Sequence, residues 1–115
     1  MPTANVLTKD NQDSVFLTVD AHGNRSETVI FINNHQIDIR GKDLNHFFLG
    51  TNVGLKGNTV TIITHVLRVP AELTHSKVSF TIDGVKKVIQ GNPIHSDEAF
   101  PDGAPSVPHV MTYIF

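Results

Sequence analysis

The chain has 115 residues and a formal net charge of −2, and it contains no cysteine. A chain of this length buries about two-thirds of the surface that its unfolded form exposes, which suits one domain over residues 1–115. Scattered basic residues argue against a nucleic-acid or anionic-lipid partner, and the lack of cysteine excludes disulfides, thiolate catalysis and cysteine-ligated zinc.

β-Branched residues dominate the composition. Val, Ile and Thr number 13, 10 and 11, whereas Glu, Ala and Leu number 3, 5 and 7. Branched side chains pack well on a pleated surface, so the composition predicts an all-β protein. No segment approaches 18 apolar residues, and the polar start MPTANVLTKDNQDS does not resemble a secretory signal. We therefore expect a cytoplasmic protein with no membrane partner, unless a signal has been removed.

The first half of the chain predicts one strand and one hairpin. Residues 15–20 alternate between apolar and polar side chains, which is typical of a half-buried strand. Residues 28–33 and 36–40 predict a hairpin around Asn34 and His35, because asparagine tolerates the conformation that a tight turn needs. This register places four isoleucines on one face, with Ile32 opposite Ile37 and Ile30 opposite Ile39.

The middle of the chain predicts a crossover followed by a long strand. In residues 41–58, Asp43 is expected to cap a single helical turn that runs through Phe47. Residues 59–69 read as a strand that is apolar on both faces, which indicates a central position in its sheet or a place at an interface. Pro70 ends its hydrogen bonding.

The second half predicts a hairpin, a long loop and a terminal strand. Asp83 and Gly84 separate two alternating runs, 77–82 and 85–90, as in a two-residue hairpin. Residues 91–106 fit no regular element, and loops of that length are often functional. The final run, 107–115, predicts a strand that starts at a sheet edge, because Pro108 lacks a donor, and that pairs in its own sheet or completes a neighbour's.

These elements predict an antiparallel β-sandwich of seven to eight strands, in jelly-roll or Greek-key order, with one short helical turn. A small open barrel is the alternative architecture.

Seven histidines are many for this length, and their positions differ. His22, His35 and His46 fall in turns and are expected to be solvated side chains without a role. His65 and His109 fall in strands on apolar faces. We expect each to be a buried neutral imidazole with one hydrogen-bond partner per nitrogen. A metal held between them would need a third ligand.

Polar residues in two predicted loops form the best candidate constellation. Glu72 and His75 lie in PAELTH, and His95, Asp97 and Glu98 lie in PIHSDEAF. If both loops meet at one end of the fold, His75, His95 and Glu98 would suit zinc or another divalent transition metal. The spacing matches no zinc motif, and no G-x-S-x-G motif indicates a nucleophilic serine.

The leading functional prediction is a non-enzymatic interaction module without cofactor or catalytic residues. It associates with itself through an edge or terminal strand, or binds another protein. The 91–106 loop is the expected recognition element, with exposed Phe100 as anchor, His95, Asp97 and Glu98 as polar rim, and Glu72 and His75 beside it.

Two functions of other classes stay open. One is a small metal-dependent enzyme or metal-binding protein that uses the loop histidines. The other is a carbohydrate-binding module, although the chain has no Trp and one Tyr, and Phe100 is the one plausible aromatic platform.

Overall fold

A computed structural model describes residues 2–115 and confirms the all-β prediction, with 54% of the chain in strands and 4% in helix. The strands are β1 (Thr3–Leu7), β2 (Ser14–Asp20), β3 (Ser26–Ile32), β4 (His35–Ile37), β5 (Phe47–Thr51), β6 (Thr59–Leu67), β7 (His75–Asp83), β8 (Lys87–Val88), β9 (Ile94–Ala99) and β10 (Ser106–Ile114). The helix is α1 (Asn52–Leu55). Within residues 2–115, no helix has the length and apolarity needed to cross a membrane.

The ten strands form two sheets. The larger has the order β4-β3-β6-β10-β1-β8, and the smaller has the order β5-β2-β7-β9. The pair of β1 and β10 is parallel, with Thr3 opposite Thr112, so the expectation of purely antiparallel pairing is wrong at this place. Strand β1 was not predicted from the sequence, because only Ala4 and Val6 of its five residues are buried and their neighbours are mostly polar.

Inward side chains of both sheets form one hydrophobic core. The six-stranded sheet contributes Ile30, Ile62, Met111 and Tyr113, and the four-stranded sheet contributes Leu17, Phe80 and Ile82, all of them almost fully buried. Strand alternation puts these residues on one face of each sheet and leaves the opposite faces outward. Burial of this apolar area is the main source of stability.

Strand β6 confirms the prediction of a central strand, since it pairs with β3 on one side and β10 on the other. Val60, Ile62 and Val66 are fully buried, while Ile63 and Leu67 on its outward face stay partly accessible. The strand ends at Leu67, before Pro70.

The isoleucine hairpin forms, but its register is shifted by two residues. Ile30 lies opposite Ile37, and the turn contains Asn33 and Asn34 rather than Asn34 and His35. Asn33 adopts a φ of 55°, and its side chain bonds to Asn58 and to the Thr59 backbone, which fixes the turn one residue earlier. A shift of two residues keeps every side chain on its face. The four isoleucines accordingly still contact the core.

The predicted helical turn at Asp43 is wrong. The Asp43 carboxylate accepts the backbone N–H of Asn45 in a tight turn, and residues 47–51 form β5 instead. The helical turn occurs later, as α1, where the Thr51 hydroxyl accepts the N–H of Gly54 at 3.0 Å. A threonine N-cap thus begins a helical turn at residues that were expected to form a loop.

The predicted hairpin around Asp83 and Gly84 is also wrong, because β7 and β8 belong to different sheets. β8 pairs with β1, with Val88 opposite Val6. Gly84 has a φ of 90°, and a Cβ there would overlap the Ser14 carbonyl. The turn therefore crosses from one sheet to the other. Lys87, a misfit in the predicted hairpin, faces outward in β8.

Residues 91–106 are not structureless, since they contain β9. This strand pairs with β7, with Ser79 opposite His95 and Val78 opposite Ser96. Strand β10 is paired on both sides within its own chain, by β6 along its length and by β1 at residues 112–114. At Pro108 the registered partner is β6 alone, which agrees with the expected edge position.

Candidate functional site

The candidate metal ligands predicted from the loops do not converge. His75 begins β7 and lies opposite Ala99, whereas His95 lies opposite Ser79, so about four residues or roughly 13 Å of strand separate the two histidines. Alternation turns Glu98 away from the face that carries His95. Glu72 is exposed in the segment before β7. Within residues 2–115, no three His, Asp or Glu side chains are placed to hold one ion.

The expectation that Phe100 is exposed is wrong, because the residue is only 6% accessible. The guanidinium of Arg68 lies over the ring at 5.2 Å from its centroid and donates from Nε to the Leu73 carbonyl at 3.0 Å. Arg68 and the segment before β7 therefore cover Phe100. The buried ring anchors the chain after β9 and offers no free aromatic surface.

His109 confirms the prediction of a core histidine. It is fully buried on β10, its Nε2 lies 2.7 Å from Ser76 Oγ on β7, and its Nδ1 lies 2.8 Å from Ser96 Oγ on β9. Burial lowers the pKa of the His109 imidazole, with Glu98 and Asp97 opposing that effect. The neutral ring joins the two sheets through one hydrogen bond per nitrogen.

His65 differs from that prediction. It faces outward on β6, opposite Glu27 and Pro108, and is exposed. His65 and His109 thus lie on opposite faces of the same sheet and cannot share a ligand.

His95 does take part in a cluster, together with residues that sequence reasoning missed. The Ser79 hydroxyl lies 2.8 Å from His22 Nε2 and 2.7 Å from His95 Nδ1. His22 Nδ1 faces the Asp20 carboxylate at 3.9 Å. His22 and Ser79 are 57 residues apart, and the sequence analysis treated His22 as a solvated turn residue, so only the pairing of β2, β7 and β9 could reveal the contact.

Hydrogen-bond chemistry limits the proton positions in this cluster. A hydroxyl has one proton and two acceptor lone pairs, so at most one ring nitrogen accepts from Ser79 and at least one donates to it. The Asp20 carboxylate lies 3.9 Å from Nδ1 of His22, the ring nitrogen that does not contact Ser79. The order Asp, His, Ser is that of activated serine nucleophiles. However, Ser79 is only 7% accessible and its strand is paired on both sides. The two histidines therefore cover the Ser79 hydroxyl and leave no room for a substrate beside it.

An aromatic group lies on the same outward surface, about four residues along β2 from Asp20. Phe16 stacks on His46, with ring centroids 4.2 Å apart and planes 15° apart, and meets Phe48 edge-on at 6.1 Å. A cleft of about 420 Å³ adjoins His46 and Phe48. We call this outward surface of the four-stranded sheet the histidine face; it carries Phe16, Thr18, Asp20, His22, His46, Phe48, Ser79, Thr81 and His95.

The outward surface of the six-stranded sheet is chemically different. A row of aliphatic residues crosses its three central strands, with Ile63 between Val29 and Val110. Three strongly exposed aliphatic side chains, Leu7, Ile89 and Ile114, lie towards the β8 side. We call this surface the apolar face; it carries Leu7, Val29, Phe31, Thr61, Ile63, Ile89, Val110, Thr112 and Ile114.

The structure thus defines an all-β protein of two sheets with two contrasting outward surfaces. No protein-family model, no curated protein and no solved structure matches the chain.

Proposed function

We propose that the chain is a non-enzymatic β-sandwich module that associates with itself through the apolar face. The single observation that carries this proposal is the composition of that face. Of the outward positions on its six strands, only Glu27 and Lys87 carry a formal charge. Apolar patches of this kind, rimmed by polar residues, mark interaction sites. The cytoplasmic location expected from the sequence stays a prediction.

The apolar face is large enough for a dimer. Six strands at about 4.8 Å spacing and seven residues at about 3.4 Å give roughly 29 Å by 24 Å, or roughly 500–700 Å² after allowance for the short outer strands. Two copies that pack face to face would bury roughly 1,000–1,400 Å², at the lower end of specific interfaces. A second copy of the same chain is the favoured occupant, since a two-fold axis brings the uncharged centres of both faces together.

The sheet edges are less suited to association. β4 has three residues and β8 has two, so neither offers a long ladder. β9 carries Asp97 and Glu98, and charge on an edge strand opposes pairing with another edge. β5 holds an extra residue against β2 near Val15, and such a bulge bends an edge strand away from regular pairing. Association through a face is therefore favoured over the edge route that the sequence suggested.

The oligomeric state tests the proposal. We expect a dimer with a Kd between about 1 µM and a few tens of µM. Sedimentation velocity across a dilution series should then show a reversible dimer that is well populated at about 100 µM. Ile63→Lys places a charge at the centre of the apolar face and should weaken the dimer at least about 100-fold, equivalent to about 2.7 kcal/mol. Ile89→Lys, at a strongly exposed position, should act in the same direction without affecting the fold.

Thr81→Lys is the matched control, because it adds the same charge to an outward, half-buried position on the central strand of the other sheet. It should leave the dimer unchanged. A monomer at all concentrations, or a dimer that Thr81→Lys disrupts and Ile63→Lys does not, would contradict the proposal.

A further inference from the structure

A second surface, the cleft beside His46 and Phe48, has the features of a small-molecule site. Its volume of about 420 Å³ lies within the range of ligand pockets. The aromatic residues His46 and Phe48 line it, and Lys42, Asp43 and Asn45 contribute polar groups. We call His46 and Phe48 the aromatic wall. This combination of an aromatic wall with a few hydrogen-bonding groups is typical of sites that bind small polar molecules.

The aromatic wall is held in place before any ligand arrives. Phe16 covers one face of the His46 ring through the parallel stack at 4.2 Å and supports Phe48 from the edge. Phe48 is 53% accessible, which is the largest exposed fraction among the exposed large hydrophobic side chains of the described residues. An aromatic ring that its neighbours orient and leave open to solvent gives a ligand a flat apolar surface at little entropic cost.

The backbone at His46 is unusual in a way that fits this role. Its φ is 65°, in the left-handed region where glycine is favoured, and its N–H donates to Thr18 Oγ1 at 3.1 Å. A residue with a side chain costs about 1 kcal/mol more than glycine there. The imidazole thus occupies a position where the turn alone would favour glycine, and the neighbouring strand holds it beside the cleft.

The polar groups of the cleft match a neutral ligand that carries hydroxyl groups. The Lys42 ammonium and the Asn45 side-chain amide make no hydrogen bond within residues 2–115, and Asp43 uses only Oδ1, towards the Asn45 backbone. These groups offer both donors and acceptors, and a hydroxyl needs both. The lining carries the charges of Asp38, Lys42 and Asp43, which sum to −1. Arg40 lies outside the lining and pairs with Asp38, so the charges in and beside the cleft sum to zero. A neutral cleft gives no advantage to an anion or a cation.

We propose that this cleft binds a neutral saccharide, with a sugar ring stacked on Phe48 and His46 and its hydroxyl groups bonded to Lys42, Asp43 and Asn45. The apolar C–H surface of a sugar ring fits the aromatic wall, and its hydroxyls fit the mixed donors and acceptors. The site lies on the histidine face, on the other sheet from the apolar face, and so does not depend on self-association.

A glycan array of neutral and charged glycans, probed with the intact chain, is the first experiment. NMR titrations with the methyl glycosides of glucose, galactose, mannose and N-acetylglucosamine, up to about 10 mM, extend it to millimolar affinities. We expect binding of at least one neutral glycan, with chemical-shift changes centred on residues 42–48. Phe48→Ala should weaken that binding at least about tenfold. Asn45→Ala, at an exposed turn position that leaves the core intact, should also weaken it.

Val69→Ala is the matched control, since Val69 has almost the same exposed fraction as Phe48, 50%, and lies away from the cleft. It should bind as the parent chain does. The proposal is overturned if no neutral glycan binds in either assay, if only charged glycans bind, or if shift changes fall outside the cleft and binding survives both Phe48→Ala and Asn45→Ala. None of these outcomes bears on the oligomeric state, which is measured separately.

Discussion

The buried triad of Ser76, His109 and Ser96 yields the sharpest stability prediction. His109→Leu keeps a side chain of similar size but removes the partner of both serine hydroxyls. Each stranded buried hydroxyl costs about 1–3 kcal/mol, and serine can rotate towards other acceptors, so we expect a loss of about 2–4 kcal/mol in the free energy of unfolding. That is a large fraction of the 5–15 kcal/mol typical of a native domain. Urea denaturation at pH 7 measures it.

A triple variant separates the lost hydrogen bonds from the change in packing. In Ser76→Ala with His109→Leu and Ser96→Ala, no polar group is left stranded, and the free energy of unfolding should return to within about 1 kcal/mol of the parent chain. Two results would refute the reasoning. One is a His109→Leu variant as stable as the parent; the other is a triple variant no more stable than His109→Leu.

The same triad predicts a pH dependence with a defined sign. Burial lowers the pKa of His109 in the folded state below its ordinary value of 6.5. As the pH falls below 6.5, the unfolded chain therefore takes up a proton before the folded chain does. The contribution of the neutral ring is fully present above that pH and is lost towards the lower, folded pKa, at up to about 1.4 kcal/mol per pH unit. Between pH 7 and pH 5 the parent chain should lose more stability than the triple variant.

Two further substitutions test other buried polar groups. The Tyr113 hydroxyl is buried without a hydrogen-bond partner among residues 2–115, and burial raises its pKa. Tyr113→Phe should therefore raise the free energy of unfolding by up to about 1 kcal/mol. A fall in the free energy of unfolding would instead indicate that the hydroxyl has a hydrogen-bond partner. Asn52 is fully buried, accepts a hydrogen bond from the Lys9 N–H and donates to the carbonyls of Asp13 and Gly84. Asn52→Ala should therefore lower the free energy of unfolding, measured by urea titration, by about 2–4 kcal/mol. Asn45→Ala, at an exposed position, should change it by less than about 0.5 kcal/mol.

Strands whose side-chain pattern is regular could be predicted from the sequence. β2 and β6 match their predicted ranges within two residues, because an alternating or doubly apolar run carries its own signal. The prediction that the four isoleucines share one face is also confirmed, although the turn lies one residue earlier than expected. Side chains alternate with a period of two, so the sequence predicts the face but cannot distinguish two registers that differ by two residues.

Elements defined by distant partners could not be predicted. β9, with the sequence IHSDEA, is a strand because β7 pairs with it, and its Ser96 is buried because His109 requires an acceptor or donor there. The Asp83–Gly84 signal indicated a local hairpin, yet β1 supplies the partner of β8 from the other end of the chain. The pairing of β8 with the distant strand β1 therefore decided the structure here, and the local turn signal did not.

The candidate sites show the same limit. The role of His109 followed from its strand position alone, because one buried imidazole needs two partners wherever they come from. The contact of His95 with His22 depends on Ser79 between them, and the stack of His46 on Phe16 depends on a left-handed residue in a turn without glycine. No spacing in the sequence encodes either contact.

The apolar face must be weighed against a simpler cause, since β-branched residues favour strands whether or not anything covers them. That cause accounts for Thr61 and Thr112, which lie in the middle of long central strands. It does not account for Leu7, the last residue of β1, or for Ile89, which follows β8. Both are strongly exposed at strand ends, where strand propensity favours no aliphatic residue and solvent favours a polar one. Their place on the same surface as Ile63 supports the proposed interface.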